Sequence, residues 1–280
     1  MDLKESLKKK LNEKELESLP KSFDTIGTIA ILDFPPELKK KEKIIAETLM
    51  SINKSIKTVL KKQGKIRGRL RTRKLKFVAG LKTKETIHKE SNCLLKLDVE
   101  KCYFSPRLSN DRIDVMKQVK PGEKILVMFS GIAPYPIVIA KNSKAKEIYG
   151  IELNRIASKY AQENIKINKL SNCFAVQGDV KKIIPKLKTK FDRVVMARPQ
   201  LKDDFLDSAL KASKEGTIIH FYDFLREDEM PEAAFRKISS AVERLKKTNK
   251  RIDSWKMIRW KKALEIGPRK WRIRVDFFVF

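Results

Sequence analysis

Three stretches of this 280-residue chain place chemistry-bearing side chains where an apolar run stops. The first is Met128-Phe129-Ser130-Gly131-Ile132-Ala133-Pro134. Small residues at a strand-to-helix turn let the backbone approach a ligand closely. Only one glycine is present, so this is not the GxGxxG fingerprint of a dinucleotide site. The second stretch, roughly 20 positions on, is Ile151-Glu152-Leu153. An acidic residue at that spacing can accept hydrogen bonds from both hydroxyls of a ribose. The third is Gln177-Gly178-Asp179-Val180, whose carboxylate can accept from an adenine amine. Each has a plainer reading alone: a turn glycine, an exposed charge at a helix start, an N-cap. Together, in this order, they point to a nucleoside-bearing cofactor at the carboxyl ends of consecutive strands. The missing phosphate loop favours S-adenosyl-L-methionine (SAM), which has no pyrophosphate to cradle, over a nicotinamide dinucleotide.

The elements that must hold these side chains follow from hydrophobic periodicity. Strands are predicted over 124–129, 147–153, 173–177, 191–197 and 217–224, with helices over 157–168, 205–214 and 235–248. Strands alternating with helices imply a parallel sheet with right-handed crossovers. Two closing strand-like runs, 253–260 and 271–280, have no helix between them and imply an antiparallel hairpin at one edge. That is the order of a Rossmann-like methyltransferase sheet. Ahead of it, strands over 26–32, 55–60, 74–78 and 93–97 and a helix over 37–52 make a small α/β unit. The segment Lys61-Lys62-Gln63-Gly64-Lys65-Ile66-Arg67-Gly68-Arg69-Leu70-Arg71-Thr72-Arg73-Lys74 falls between two of those strands as a candidate phosphate-contacting surface. Residues 3–18 read as a basic amphipathic helix. The expected division is therefore 1–20, a basic N-terminal helix; 21–105, a small α/β RNA-binding domain; and 106–280, the cofactor-binding domain.

Charge narrows the partner. Lys and Arg number 64 against 35 Asp and Glu, a net charge of +29. Nucleic acid is the polyanion such a surface suits, because each neutralised phosphate releases counterions. Three scattered cysteines and two histidines offer no metal-ligand spacing and no disulfide framework, as expected in a reducing cytoplasm. No apolar run approaches the roughly 20 residues of a membrane span.

At this point the sequence resembles a family. Tyr103-Phe104-Ser105-Pro106-Arg107-Leu108-Ser109-Asn110-Asp111-Arg112, followed by Phe129-Ser130-Gly131-Ile132-Ala133-Pro134-Tyr135-Pro136, is similar to the archaeal and eukaryotic tRNA (guanine-N1)-methyltransferases. Gly68 to Gly80, Thr86 to Glu90 and Ile219-His220-Phe221-Tyr222 add supporting matches, and the likeness spans roughly residues 20 to 280. It implies a class I SAM-dependent methyltransferase fold and transfer to N1 of guanosine 37 in the tRNA anticodon stem-loop, by a monomer. On this resemblance Arg71, Asp111 and Tyr103 are the catalytic candidates. Arg71 would hold charge on guanine O6, Asp111 would take the N1 proton, and Tyr103 would lie near the methionine portion and the base. Phe129, Gly131, Ile132, Pro134, Glu152, Leu153, Asp179, Val180 and Arg107 would line the cofactor. Arg112, Arg73, Arg198, Pro199 and Tyr135 would contact the substrate. A flipped nucleotide is expected, since N1 is inaccessible in a stack.

Two departures stand out. Asp111 occupies a position where the family usually has Glu, one methylene longer. The family's Asn-Leu-Pro or Asn-Pro-Pro after the fourth strand is Ala197-Arg198-Pro199 here, and Ala197 cannot bond the target base. With Pro134-Tyr135-Pro136 in the loop, this looks like an archaeal branch linked to wyosine derivatives. Some members of that branch methylate guanosine N1, some C7 of 4-demethylwyosine, and some both; aminocarboxypropyl transferases of the same pathway are related.

Overall fold

The computed structural model describes residues 2–68, 70–247 and 252–280, without the side chains of 65–67. It divides into two compact units: residues 1–89 with 94–106, and residues 90–93 with 107–280. The N-terminal 20 residues therefore group with the first unit rather than standing apart, and the 90–93 turn groups with the second.

The first unit opens with α1 (Leu3–Leu7) and α2 (Glu13–Glu17), two short helices in place of the single one expected. The Asn12-Glu15 capping box starts α2. Then come β1 (Asp24–Ile26), β2 (Ile29–Leu32), α3 (Glu42–Ile52), β3 (Thr58–Arg67), β4 (Thr72–Gly80), β5 (Glu85–Glu90) and β6 (Cys93–Asp98). The first four strands form one sheet, and β5 and β6 pair as a hairpin. Leu49, Ala46 and Ile45 of α3 bury one stripe, with Leu7 and Leu38 packed beside Ile45. The basic segment, expected to lie between strands, instead contributes to the arms of the β3–β4 hairpin and the turn between them, with Arg69 outside the described residues. Gly64 (φ 83°) and Gly68 (φ 70°) adopt left-handed backbone that lets the arms shift register and close.

The second unit carries α4 (Ser109–Met116), β7 (Lys124–Met128), α5 (Pro134–Asn142), β8 (Glu147–Glu152), α6 (Arg155–Ile167), β9 (Cys173–Gln177), α7 (Val180–Ile183), β10 (Phe191–Met196), α8 (Leu206–Ala212), β11 (Ser213–Arg226), α9 (Glu232–Lys246), β12 (Trp255–Gly267) and β13 (Lys270–Val279). The expected helix over 235–248 is α9, except that residue 248 lies outside the described residues. The seven strands lie in the order β12-β13-β11-β10-β7-β8-β9. The five strands from β11 to β9 run parallel, and β12 and β13 add the expected antiparallel hairpin at one edge. Strands such as Ile125-Leu126-Val127-Met128 are buried on both faces, as a helix-covered parallel sheet requires. α8 and α9 cover one face, and α4 and α5 contribute to the other.

That second face is not wholly apolar. Asp111 and Asp114, three residues apart on α4, share a helix face and both accept from Arg274 of β13. Arg274 also donates to Asp276, whose Oδ1 lies 2.6 Å from His220 Nδ1. His220 Nε2 lies 2.8 Å from Arg193, which makes a bidentate pair with Glu123. The arginine can only donate, so Nε2 accepts and the imidazole carries its proton on Nδ1. Burial, more than any neighbour, lowers the His220 pKa. The sign of the consequence follows. Below about pH 6.5 the unfolded chain binds a proton that the folded imidazole refuses, so stability falls as pH falls. Thermal melting should be flat above that pH and decline below it, by up to ~1.4 kcal/mol per pH unit. His220→Asn should flatten the decline between pH 6.5 and 5. An unchanged slope in that variant would reassign the titration to another group.

Candidate cofactor site

The site in the second unit begins where β7 ends. Phe129, Gly131 and Ala133 all have left-handed backbone (φ 60°, 58° and 67°), so the chain reverses sharply before α5. Phe129 and Ala133 pay conformational strain there, of order 1–3 kcal/mol each. Three contacts hold the loop. The Phe129 ring meets Phe205 edge-on at 4.9 Å. Asn164 Nδ2 of α6 donates to the Ile132 carbonyl at 3.1 Å. Gly131 N–H donates to Glu152 Oε2 at 2.7 Å.

Glu152 is the pivot of this arrangement. Its other oxygen accepts from Asn154 N–H at 2.6 Å, and Asn154 in turn caps α6 by accepting from Ile156 and Ala157. Burial raises the Glu152 pKa from its ordinary value, and the backbone N–H groups of Asn154, Gly131 and Leu153 oppose that rise. Each carboxylate oxygen has more than one lone pair. The group can therefore hold the loop and still accept from a ligand hydroxyl. Asp179 sits at the end of β9, half buried, and caps α7 by accepting from Lys181 N–H at 3.0 Å. Its neighbour Val180 is buried, as is Ile132, while Leu153 and Pro134 are half buried. Ser130 Oγ is buried without a hydrogen-bond partner among the described residues. A sharply turned loop, an orphaned hydroxyl and two acidic strand ends fit the donor pattern of an adenosyl group.

Other sequence-predicted residues are placed differently. Asp111 is 4% exposed; it accepts from Arg274 at 2.6 Å, from the Tyr135 hydroxyl at 2.6 Å and from the Tyr222 hydroxyl. Burial first, and the Asp111 charge second, push both phenols well above the ordinary tyrosine range, so each keeps its proton and donates. Asp111 is thus the hub of a buried network, with both of its oxygens already accepting hydrogen bonds. Tyr135 is buried in the same network and offers the substrate no free hydroxyl. Arg112, expected at the substrate, makes a bidentate pair with Glu90 at 2.5 Å for each bond, both side chains nearly inaccessible. Arg198 is buried against Asp223 at 2.9 Å and donates to the carbonyls of Leu201 and Asp203. It fastens the loop after β10 and is not presented to a ligand. Beside it, Pro199 is half buried, and Arg107 is exposed before α4.

In the first unit, Arg71 stands in the β3–β4 turn with φ 53° and its guanidinium 4.6 Å from the Tyr103 ring centroid. Two of the three catalytic candidates, Arg71 and Tyr103, are brought together there as a cation stacked on a ring. Arg73 follows on β4, half buried, and the Nε atoms of both arginines are buried without partners among the described residues.

Sequence reasoning missed Tyr222, Arg272 and Arg274. The available signal was a charge at every second position of a strand with an apolar opposite face: Arg272, Arg274 and Asp276 alternate with Trp271, Ile273, Val275 and Phe277. Charges on a strand buried on both faces need partners, and Arg274 and Asp276 find theirs on α4 and β11.

Comparison with known proteins identifies the family of the chain. A sequence model described as the TRM5/TYW2 methyltransferase domain matches residues 86–250, and one described as the TYW2 N-terminal domain matches residues 3–83. The chain is 37% identical to Trm5b of Pyrococcus abyssi, named a tRNA (guanine(37)-N(1))-methyltransferase, over 93% of this chain and 76% of that one. The crystal structure of that Trm5b superposes with a TM-score of 0.86 over 98% of this chain and 80% of that chain. Taw22 of Nanoarchaeum equitans, named a tRNA (guanine(37)-N(1))/4-demethylwyosine(37)-methyltransferase, is 33% identical over 92% of this chain and 99% of its own. A Pyrococcus horikoshii protein named a tRNA(Phe) (4-demethylwyosine(37)-C(7)) aminocarboxypropyltransferase is 31% identical over 99% and 96%.

Proposed function

Since this chain belongs to the TRM5/TYW2 methyltransferase family, we propose that it transfers the methyl group of SAM to N1 of guanosine 37 in tRNA, and to C7 of 4-demethylwyosine at the same position. The observation that carries the reading is the Glu152 carboxylate bonded to the Gly131 N–H at the carboxyl end of β7, where it would accept from the hydroxyls of an adenosyl group. SAM supplies an electrophilic methyl group when bound. What the chain must add is a place for the guanine and an acceptor for its N1 proton.

In this proposal Arg71, stacked on Tyr103, faces guanine O6 and offsets the negative charge that grows there as N1 attacks. Asp111 takes the N1 proton by exchanging one phenol donor, Tyr135 or Tyr222, for the N1–H. Arg274 stays bonded to the other oxygen throughout and fixes the carboxylate. Asp179 accepts from the adenine amine, and Arg73 and Arg107 meet phosphate or carboxylate. The enzyme acts on the anticodon stem-loop as a monomer in the cytoplasm. The three cysteines are buried and none is in a disulfide, which supports the reducing compartment, and no described helix is long and apolar enough to cross a membrane.

A second reading has its own support. The match to the TYW2 N-terminal domain covers the first unit, so transfer of the aminocarboxypropyl group of SAM to C7 of 4-demethylwyosine is the competing outcome. Nucleoside mass spectrometry decides. The protein is incubated with SAM and either unmodified transcript carrying guanosine 37 or tRNA carrying 4-demethylwyosine. A one-methyl gain on both substrates is expected. A gain of an aminocarboxypropyl group on the tricycle would overturn the methyltransferase reading, and no gain on either would overturn the family's substrate for this chain.

A further inference from the structure

Arg272 is 5% exposed, yet its Nε and Nη2 atoms have no hydrogen-bond partner among the described residues. Its visible contacts are ring faces: Tyr222 at 4.4 Å and Phe224 at 5.9 Å from the centroids. Burying a cation without a counter-ion is unfavourable, so such a group calls for an explanation. Two other arginines of the same unit show what is missing. In Arg112 the Nε–Nη2 edge is filled by both oxygens of Glu90. In Arg193 the same edge is filled by both oxygens of Glu123. Next to Arg272, Arg274 satisfies itself on Asp111, Asp114 and Asp276. Only Arg272 of these four leaves that two-donor edge empty.

Position in the sheet adds a second observation. β7 and β10 end at Met128 and Met196, level with Phe221 of β11 and Val275 of β13. The β11–β13 ribbon continues past that line, from Tyr222 paired with Arg274 to Arg226 paired with Lys270. Arg272, opposite Phe224, therefore stands beyond the carboxyl ends of the parallel strands, on the side where an open α/β sheet takes its ligands. Directly paired residues share a face, so Arg272 also lies on the Tyr222 side, whose hydroxyl bonds Asp111. No hydrogen bond anchors Nε or Nη2, and the guanidinium can slide across the two rings without breaking one.

We propose that Arg272 is a positioning residue that receives an oxyanion of the reactants through its Nε–Nη2 edge, as Arg112 and Arg193 receive glutamates. The inference rests on the tRNA methyltransferase reading, which offers two sources of that oxyanion: the carboxylate of the SAM methionine moiety and a phosphate of the target strand. Binding of either draws a buried, uncompensated cation into a charge-assisted fork, so the energy of the orphaned group is released only when the reactant is in place.

The test compares wild type, Arg272→Gln and Arg272→Lys. Affinities are measured for SAM, for 5′-methylthioadenosine (which has no carboxylate) and for tRNA transcript, beside kcat, KM and melting of the unliganded protein. Arg272→Gln should weaken one oxyanion-bearing partner by at least about tenfold, with Arg272→Lys recovering part of the loss. Weakened SAM with unchanged methylthioadenosine identifies the carboxylate. A raised KM for tRNA with unchanged SAM affinity identifies the phosphate. Melting should stay level or rise, since the variant removes an unpaired buried charge. Affinities within twofold of wild type for all three probes would overturn the proposal. So would an equal loss for all three with a lowered melting point, which marks a structural role. Wild-type protein that binds these probes but leaves tRNA unmodified would instead count against the methyltransferase reading, and the binding results would still judge Arg272.

Discussion

Arg71→Ala is expected to lower kcat for guanosine methylation by about 10²–10³, the usual loss when one preorganised charge stabiliser is removed. SAM affinity should stay within about twofold of wild type, because the contacts assigned to the cofactor lie on β7, β8 and β9. The substitution is clean in one respect. Arg71 has φ 53°, and alanine is no more at ease there than arginine, so backbone strain is nearly unchanged. What changes is the cation over the Tyr103 ring, a contact worth about 0.5–1 kcal/mol when not fully buried. A small drop in melting temperature is therefore expected alongside a large kinetic loss. Arg71→Lys keeps the charge but not the planar fork and should recover only part of the rate. Single-turnover kinetics with saturating SAM checks this. Loss of SAM binding in Arg71→Ala, with normal transfer once SAM is saturating, would remove Arg71 from the base.

Glu152→Ala has the second large effect. The carboxylate accepts from Gly131 and Asn154 and is proposed to accept from both ribose hydroxyls. Two bonds to a charged acceptor contribute roughly 3 kcal/mol or more, so SAM affinity should fall at least about a hundredfold. The variant also frees the strained loop at Phe129, Gly131 and Ala133, and part of the loss belongs to that. Glu152→Gln separates the two, since the amide oxygen can still accept from one N–H. Acidity gives an independent check. The Glu152 pKa is raised by burial, and the ionised form is the acceptor. SAM affinity should therefore weaken as pH falls through that raised value, and the dependence should vanish in Glu152→Gln. Isothermal titration with SAM reads both effects, while tRNA affinity is expected to hold. Unchanged SAM affinity in Glu152→Ala would sink the assignment.

The parts legible in the sequence are those whose chemistry is local. A loop that must admit a cofactor needs small residues at a strand end, and its ribose acceptor must follow one crossover later; Gly131 and Glu152 obey both demands. The order of strands and helices was legible for the same reason, since each βα unit writes its own periodicity. The basic hairpin was misread because lysine and arginine are weak strand formers and Gly64 and Gly68 look like breaks, whereas they make the turn possible. β5 was missed because Glu85-Thr86-Ile87-His88-Lys89-Glu90 has little apolar alternation. The Asp111 network was out of reach for a different reason. It joins residue 111 to residues 222 and 274, and nothing near Asp111 in the chain announces that two phenols and a guanidinium converge on it. Sequence placed that carboxylate by resemblance alone, and burial supplied the rest.

The bidentate bond between Arg112 and Glu90 has a consequence for how such a protein can be inherited. A gene cut after Pro106 would encode the whole seven-stranded sheet and look like a transferable module. It would lack Glu90, which lies in the 90–93 turn upstream of the cut, and with it the carboxylate that makes the bidentate pair with Arg112. Breaking a buried pair from one side costs about 3–5 kcal/mol, a large share of a domain's total stability. Recombination at that junction is therefore penalised, and the two halves of the reading frame are tied into a single heritable unit by one ion pair.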